Sequence, residues 1–168
     1  VPRSTYPPQR HSLAARALSM PDALRECALR LLARREHSRQ ELSDKLASLA
    51  EDAEQHAALL DDLTEKDLLS DQRYADMRLK TRAARFGDAR LTHELRTKGI
   101  ADEVVGTVIK DGTDELTRAR RVWQRRFGEQ ATAADDFAER ARQARFLAGR
   151  GFSGETIRRL LRTTPEDD

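Results

Sequence analysis

The placement of proline limits most strongly what this chain can become. Pro2, Pro7, Pro8 and Pro21 lie near the start and Pro165 near the end, with none between. Proline lacks the N–H that a helix needs and clashes with the preceding turn. The run from Asp22 to Thr164 is free of it and rich in Ala, Leu, Arg and Glu, so it reads as helix almost throughout. Aromatics at 5% are too few for most β-sandwiches, and no run approaches the ~20 apolar residues of a bilayer span. An all-α fold is expected.

Capping residues divide the run. Pro21 suits the first turn of a helix reaching about Glu36. Ser38 and Glu41 have the spacing of a capping box and open a second helix. Leu59, Leu60 and Leu63 mark a third, and Ser70 with Asp71 begin a fourth whose core side holds Tyr74, Ala75 and Leu79. Gly87 and Asp88 precede a fifth helix that Gly99 ends. A sixth carries Val104, Val105, Val108 and Ile109 and stops at Gly112. Thr113 is the expected cap of a seventh, with Leu116, Val122 and Trp123. After a loop at 128–134, two more are expected at about 135–149 and 154–163.

These helices fall into threes. Leu91, Leu95 and the Gly99-Ile100 break are followed by Val105, Val108 and Ile109. Leu147 and the Gly151-Phe152 break are followed in the same register by Ile157, Leu160 and Leu161. Leu42, Leu46, Leu59 and Leu60 match as well, but Ala50-Glu51 stands where the other copies have glycine and an apolar residue. The expectation is three tandem three-helix repeats in an elongated curved array, at 21–69, 70–112 and 113–164. A flexible basic arm over 1–20 and an acidic tail over 165–168 flank them.

Catalytic signatures are missing: no Walker loop, dinucleotide glycine pattern, H-E-x-x-H or nucleophile elbow occurs. His11, His37, His56 and His93 have no ligand-like spacing and read as surface or capping residues. Cys27, the single cysteine, excludes an internal disulfide framework and reads as core filling. No catalytic, metal or cofactor residue is expected, and the chain reads as a non-enzyme. Residues 1–20 hold three arginines and prolines but no apolar core before a cleavage site, so a soluble cytoplasmic monomer without a membrane partner is expected.

Charge is the remaining signal. Glu51 to Asp71 holds eight acids against Lys66, whereas Arg118 to Arg126 holds five arginines and no acid. Between Arg73 and Lys98 lie eight basic residues against Asp76, Asp88 and Glu94. Arg78, Arg82 and Arg85 are three and four apart, as on one face of a helix. Either a solvated face or a phosphate-bearing or acidic partner accounts for such a stripe. Arginines outnumber lysines 26 to 5, which suits bidentate anion contacts but also follows from base composition. Gly151 to Arg162 has the form of a turn and second helix of a helix-turn-helix, with Thr156, Arg158, Arg159 and Arg162 available to DNA, but Leu147 sits where a small residue usually lets the helices cross, so repeat packing is the first reading.

Four segments resemble the bacterial RecX family. They are Leu31–Leu42 (LLARREHSRQEL), Leu63–Ala75 (LTEKDLLSDQRYA), Gly87–Ile100 (GDARLTHELRTKGI) and Arg145–Ile157 (RFLAGRGFSGETI). The likeness covers about 24–163 in order and spacing. Ala50-Glu51, His56, Arg78 and Asp88 depart from the family pattern. The resemblance implies a negative regulator of the RecA recombinase, docked in the groove of the RecA–single-stranded DNA filament. It also implies loss of ATPase, strand-exchange and repressor-cleavage activities. From charge clustering, Arg73, Arg82, Arg85, Arg90, Arg96 and Lys98 are the expected central contact surface, with Arg118, Arg121, Arg125 and Arg126 a second one. Two alternatives are a helix-turn-helix-like protein acting on nucleic acid directly and a scaffold using the acidic 51–71 segment.

Overall fold

The computed structural model describes residues 20–128 and 137–162, and every regular element among them is helical. The helices are α1 (Met20–Arg34), α2 (Arg39–Leu46), α3 (Ala53–Glu65), α4 (Asp71–Arg82), α5 (Asp88–Arg96), α6 (Asp102–Asp111), α7 (Glu115–Phe127), α8 (Phe137–Ala148) and α9 (Gly154–Arg162). The expected arm over 1–20, most of the 128–134 loop and the acidic tail lie outside the described residues, apart from Met20 at the start of α1.

Local hydrogen bonds explain the helix starts. Ser38 accepts from Glu41 N–H at 3.1 Å, Asp52 from Glu54 N–H at 2.9 Å and Ser70 from Arg73 N–H at 3.3 Å. Only half of the expected capping box forms at α2, because Arg35 takes the Glu41 carboxylate through two bonds of 2.8 and 2.9 Å. The cap of α7 is Asp114, which accepts from Thr117 N–H at 3.0 Å, and not Thr113. The helix starts one residue later than expected, since a carboxylate is the stronger acceptor at a helix N-terminus.

Packing follows the threes. One core joins Leu24, Ala28, Leu42, Leu46, Leu60 and Leu63, with Cys27 half-buried against it as expected. A second joins Tyr74, Ala75, Leu95, Ile100, Val105 and Val108. The third is richer in aromatics, with Trp123, Phe127, Leu147, Phe152, Ile157 and Leu160. There Trp123 Nε1–H donates to Gln143 Oε1 at 2.8 Å, and Phe127 meets Phe146 edge-on at 5.2 Å. The helix pairs in closest contact all lie within a trio. The expected all-α array of three three-helix repeats is the fold observed.

Between repeats the chain uses one joint twice. In both cases the N-terminus of a middle helix lands on the turn before the third helix of the next repeat. Ser38 Oγ donates to the Lys98 carbonyl at 2.8 Å, and Gly87 N–H donates to the Arg150 carbonyl at 2.9 Å. The first N–H of each middle helix then meets a carboxylate at the start of the next repeat: Arg39 N–H to Asp71 at 2.7 Å, Asp88 N–H to Glu115 at 2.9 Å. The receiving turns are left-handed at Gly99 (φ +75°) and Gly151 (φ +81°). They close with Ile100 N–H on Leu95 and Phe152 N–H on Leu147, the six-to-one bond of a Schellman turn. In the first repeat Ala50 N–H bonds back to Leu46 without a left-handed residue, as the degenerate copy led one to expect.

His37 departs from its surface assignment. It is buried beside this joint with Nδ1 3.0 Å from the Arg35 carbonyl. Burial pushes its imidazole below the ordinary value. Salt bonding and hydrogen bonding hold Glu41 and Glu94 below the usual carboxylate range, led by Arg35 and Arg82 respectively.

Gly151→Ala places a side chain in left-handed backbone with its Cβ 2.5 Å from that of Arg90. It is expected to cost at least about 1–3 kcal/mol in urea unfolding followed by circular dichroism. Gly106→Ala in α6, where an added Cβ meets nothing within 4 Å, is expected to gain about 0.5–1 kcal/mol. A histidine with a lowered folded pKa contributes stability above its unfolded value of about 6.5, and loses it as pH falls. The urea midpoint should therefore drop between pH 7 and pH 5, and that drop should shrink in His37→Gln. Glu41 and Glu94 add a second loss below about pH 4.3.

Candidate partner and nucleic-acid interface

The structure sorts the basic residues into three kinds. Arg73 and Arg118 work inside the joints. Arg73 reaches back to Glu36 at 2.9 Å and to Asp67 at 2.6 Å. Arg118 is buried, 5% exposed, and donates to the carbonyls of Thr113 and Phe86 at 2.9 and 2.7 Å and to Asp88. It is therefore withdrawn from the surface expected of it. Its register explains this, because Arg118 directly precedes the fully buried Ala119 and shares its side of α7. Burial holds the Asp88 carboxyl above the usual range, against the pull of Arg118.

Arg82, Arg90 and Arg96 are matched by carboxylates. Glu94 takes Arg82 at 2.6 Å and Arg90 at 3.4 Å, with Arg78 at 3.8 Å. Arg82 and Arg90 also lie over the Phe86 ring at 4.5 and 4.3 Å. Arg96 pairs with Asp102 at 2.7 Å. The unmatched stripe expected along α4 is therefore absent: Arg78 and Arg82 share one carboxylate, and α4 ends at Arg82, so Arg85 falls in the following turn. Lys98 stands apart, half-buried beside Gln40, Glu41 and Asp44.

Arg85, Arg121, Arg125 and Arg126 are exposed and come together where the second and third repeats meet. Two hollows open there. The larger, about 1040 Å³, is lined by Lys80, Arg121 and Arg125 beside the apolar Leu79, Ala83 and Val108, with Asp76 and Asp111 also on its wall. The smaller, about 320 Å³, is lined by Arg85, Arg125, Arg126, Arg150, Val122 and Phe146. Arg125 lines both, held by a hydrogen bond to the Ala84 carbonyl. Lys80 and Arg150 are additions to the expected contact residues, although Lys80 is one of the eight basic residues between Arg73 and Lys98. Arg150 was reachable through the repeat, since it precedes Gly151 as Lys98 precedes Gly99.

The helix-turn-helix-like segment turns its two hydroxyls onto Glu115, while Arg158, Arg159 and Arg162 stay exposed. Ser153 Oγ and Thr156 Oγ1 donate to Glu115 at 2.7 and 2.6 Å, so Thr156 is buried rather than available to a base. Burial alone would raise the Glu115 carboxyl; the Thr156 hydroxyl, the Asp88 N–H and the Ser153 groups outweigh it and hold it below the usual range. Arg158 pairs with Glu155 at 2.9 Å. Among the described residues no cluster of His, Cys, Asp and Glu forms a metal site, and no helix is long and apolar enough to cross a membrane.

Known proteins place this arrangement. Residues 25–63, 70–109 and 113–161 match the family models for the first, second and third three-helix domains of RecX, in that order. The chain belongs to the RecX family. The regulatory protein RecX of Leptothrix cholodnii is 46% identical over 141 residues, covering 83% of this chain and 88% of the relative. That of Ralstonia nicotianae is 44% identical over 142 residues, covering 84% and 87%. The crystal structure of RecX from Lactobacillus salivarius superposes with a TM-score of 0.76 at 20% identity, covering 85% of this chain and 95% of that one. RecX proteins are regulatory proteins and not enzymes, which accords with the sequence reading.

Arg118→Ala should leave Asp88 and two carbonyls of the joint unmatched. An expected loss of about 3 kcal/mol, at the low end for a broken buried pair because the Asp88 side chain is 35% exposed, is measurable by urea unfolding.

Proposed function

We propose that this chain is a negative regulator of the RecA recombinase, acting as a monomer in the cytoplasm on the RecA–single-stranded DNA filament. On this reading it lowers the filament's ATPase, strand-exchange and repressor-cleavage activities. The observation that carries the reading is the ordered match of all three RecX domains to a tandem array. A linear array with a separate core in each unit presents a long surface, which suits contact with successive subunits of a helical polymer.

The contact surface runs along the exposed cations at the junction of the second and third repeats, Arg85, Arg121, Arg125 and Arg126. Arg96, exposed but paired with Asp102, and the half-buried Lys98 stay secondary to this surface. Its placement, remote from the acidic 51–71 segment in sequence, gives the molecule an orientation on a charged filament. The reading as a self-sufficient helix-turn-helix protein draws less support, since Thr156 is bound to Glu115.

The test is the single-stranded-DNA-dependent ATPase of RecA with this protein titrated in below stoichiometry. A steep fall at few copies per many subunits is expected, and Arg85→Glu with Arg121→Glu should shift the titration to higher concentration with helicity unchanged. No fall at excess protein would overturn the reading for the RecA tested.

A further inference from the structure

We infer that Arg85, Arg125, Arg126 and Arg150 form a cradle for a phosphodiester of single-stranded nucleic acid, at the junction of the second and third repeats. The inference rests on the filament reading only for its setting; the binding itself is a property of this chain.

Four guanidinium groups line one hollow of about 320 Å³, together with Val122 and Phe146 and no carboxylate. Glu94 by contrast matches three arginines, Arg78, Arg82 and Arg90. Here the described residues supply no ion pair. The carboxylate that feels Arg126, Glu139, is itself bound by Arg142 at 2.7 Å. Like charges gathered without a counterion repel, and an anion in the hollow relieves that cost.

The cradle is also preorganised. Arg125 is tied to the Ala84 carbonyl, and Arg150 to the Arg85 carbonyl at 3.4 Å, both in the turn after α4. A single carbonyl bond leaves a guanidinium most of its five donors. Arg150 lies over the Phe146 ring at 4.5 Å and Arg126 over Phe127 at 5.4 Å. Guanidinium planes fixed in this way match the two free oxygens of a phosphodiester.

The choice of a single strand follows from what adjoins the cradle. Unpaired bases stack on guanidinium planes and aromatic rings, whereas a duplex hides its base faces. Arg125 also lines the larger hollow, where Leu79 and Val108 offer apolar surface beside Lys80 and Arg121. A strand leaving the cradle thus meets apolar wall for its bases and further cations for its next phosphates.

The experiment is fluorescence anisotropy of a labelled oligothymidylate across a salt series, with the full chain and no RecA. Arg85→Gln with Arg126→Gln is the test pair, because neither side chain has a hydrogen-bond partner among the described residues. Arg30→Gln with Arg34→Gln, on exposed positions of α1, removes the same charge elsewhere. Each phosphate contact to a single strand contributes about 0.7 to the slope of log affinity against log salt. The test pair should lower that slope by about 1.4, and the control pair should leave it unchanged. An unchanged slope in the test pair, or an equal fall in the control pair, would overturn the cradle. Displacement of the oligothymidylate by polyglutamate as readily as by unlabelled oligothymidylate would assign the site to an acidic protein segment instead. Equal binding of duplex would overturn the single-strand choice. RecA ATPase measured on the same samples separates the two readings: wild-type protein that leaves ATPase unchanged while the slope shift persists overturns the regulator and keeps the cradle.

Discussion

The array depends on a carbonyl that sits just ahead of a left-handed glycine. Lys98 and Arg150 each present that oxygen to the start of the preceding repeat's middle helix. An approach this close leaves no space for a side chain on the receiving turn: a Cβ on Gly99 would overlap Gln40, and one on Gly151 would overlap Arg90. Among the described residues nothing docks on the first repeat's turn, and there Ala50 suffices. Glycine therefore marks where a neighbour docks, and its loss in the first copy follows from position in the array. The two joints differ in reach. Ser38 spans the first with its hydroxyl, while Gly87 brings backbone to backbone in the second, where any side chain would strike Gly151.

That tighter second joint organises the arginines. Arg118 crosses it from beneath and ties the third repeat to the Phe86 carbonyl and to Asp88. Glu115 ties the same helix start to the turn before α9 through Asp88, Ser153 and Thr156. With these buried groups satisfied among themselves, the outward arginines of α7 have only carbonyls and rings to hold them. One structural cation, Arg118, and the exposed Arg120, Arg121, Arg125 and Arg126 thus share one helix, a few residues apart in sequence and serving opposite ends.

Much of this was legible in the chain because it is local or repeated. Ser38, Ser70 and Asp52 act on N–H groups two or three residues ahead, so a reader of sequence sees both partners at once. Gly99 and Gly151 are visible because one register carries both. Arg118 was misjudged because its partners lie 30 and 32 residues away, and only folding brings them beneath α7. The pairing of Arg78 and Arg82 on Glu94 is hidden for the same reason, whereas Arg90 meets it four residues away on α5: a charge run reports how many cations occur, not which carboxylate faces them. His37 looked like a surface residue because nothing near it in sequence signals the joint that buries it.

The joint has a direction, since a helix start meets a turn and never its own kind. Contacts of that heterologous sort close into rings or continue as open fibres unless something stops them. The first repeat's corresponding turn holds Ala50 in place of glycine and closes without left-handed backbone, so among the described residues it lacks the notch that the second and third repeats present, and the polarity of the joint runs one way along the three units.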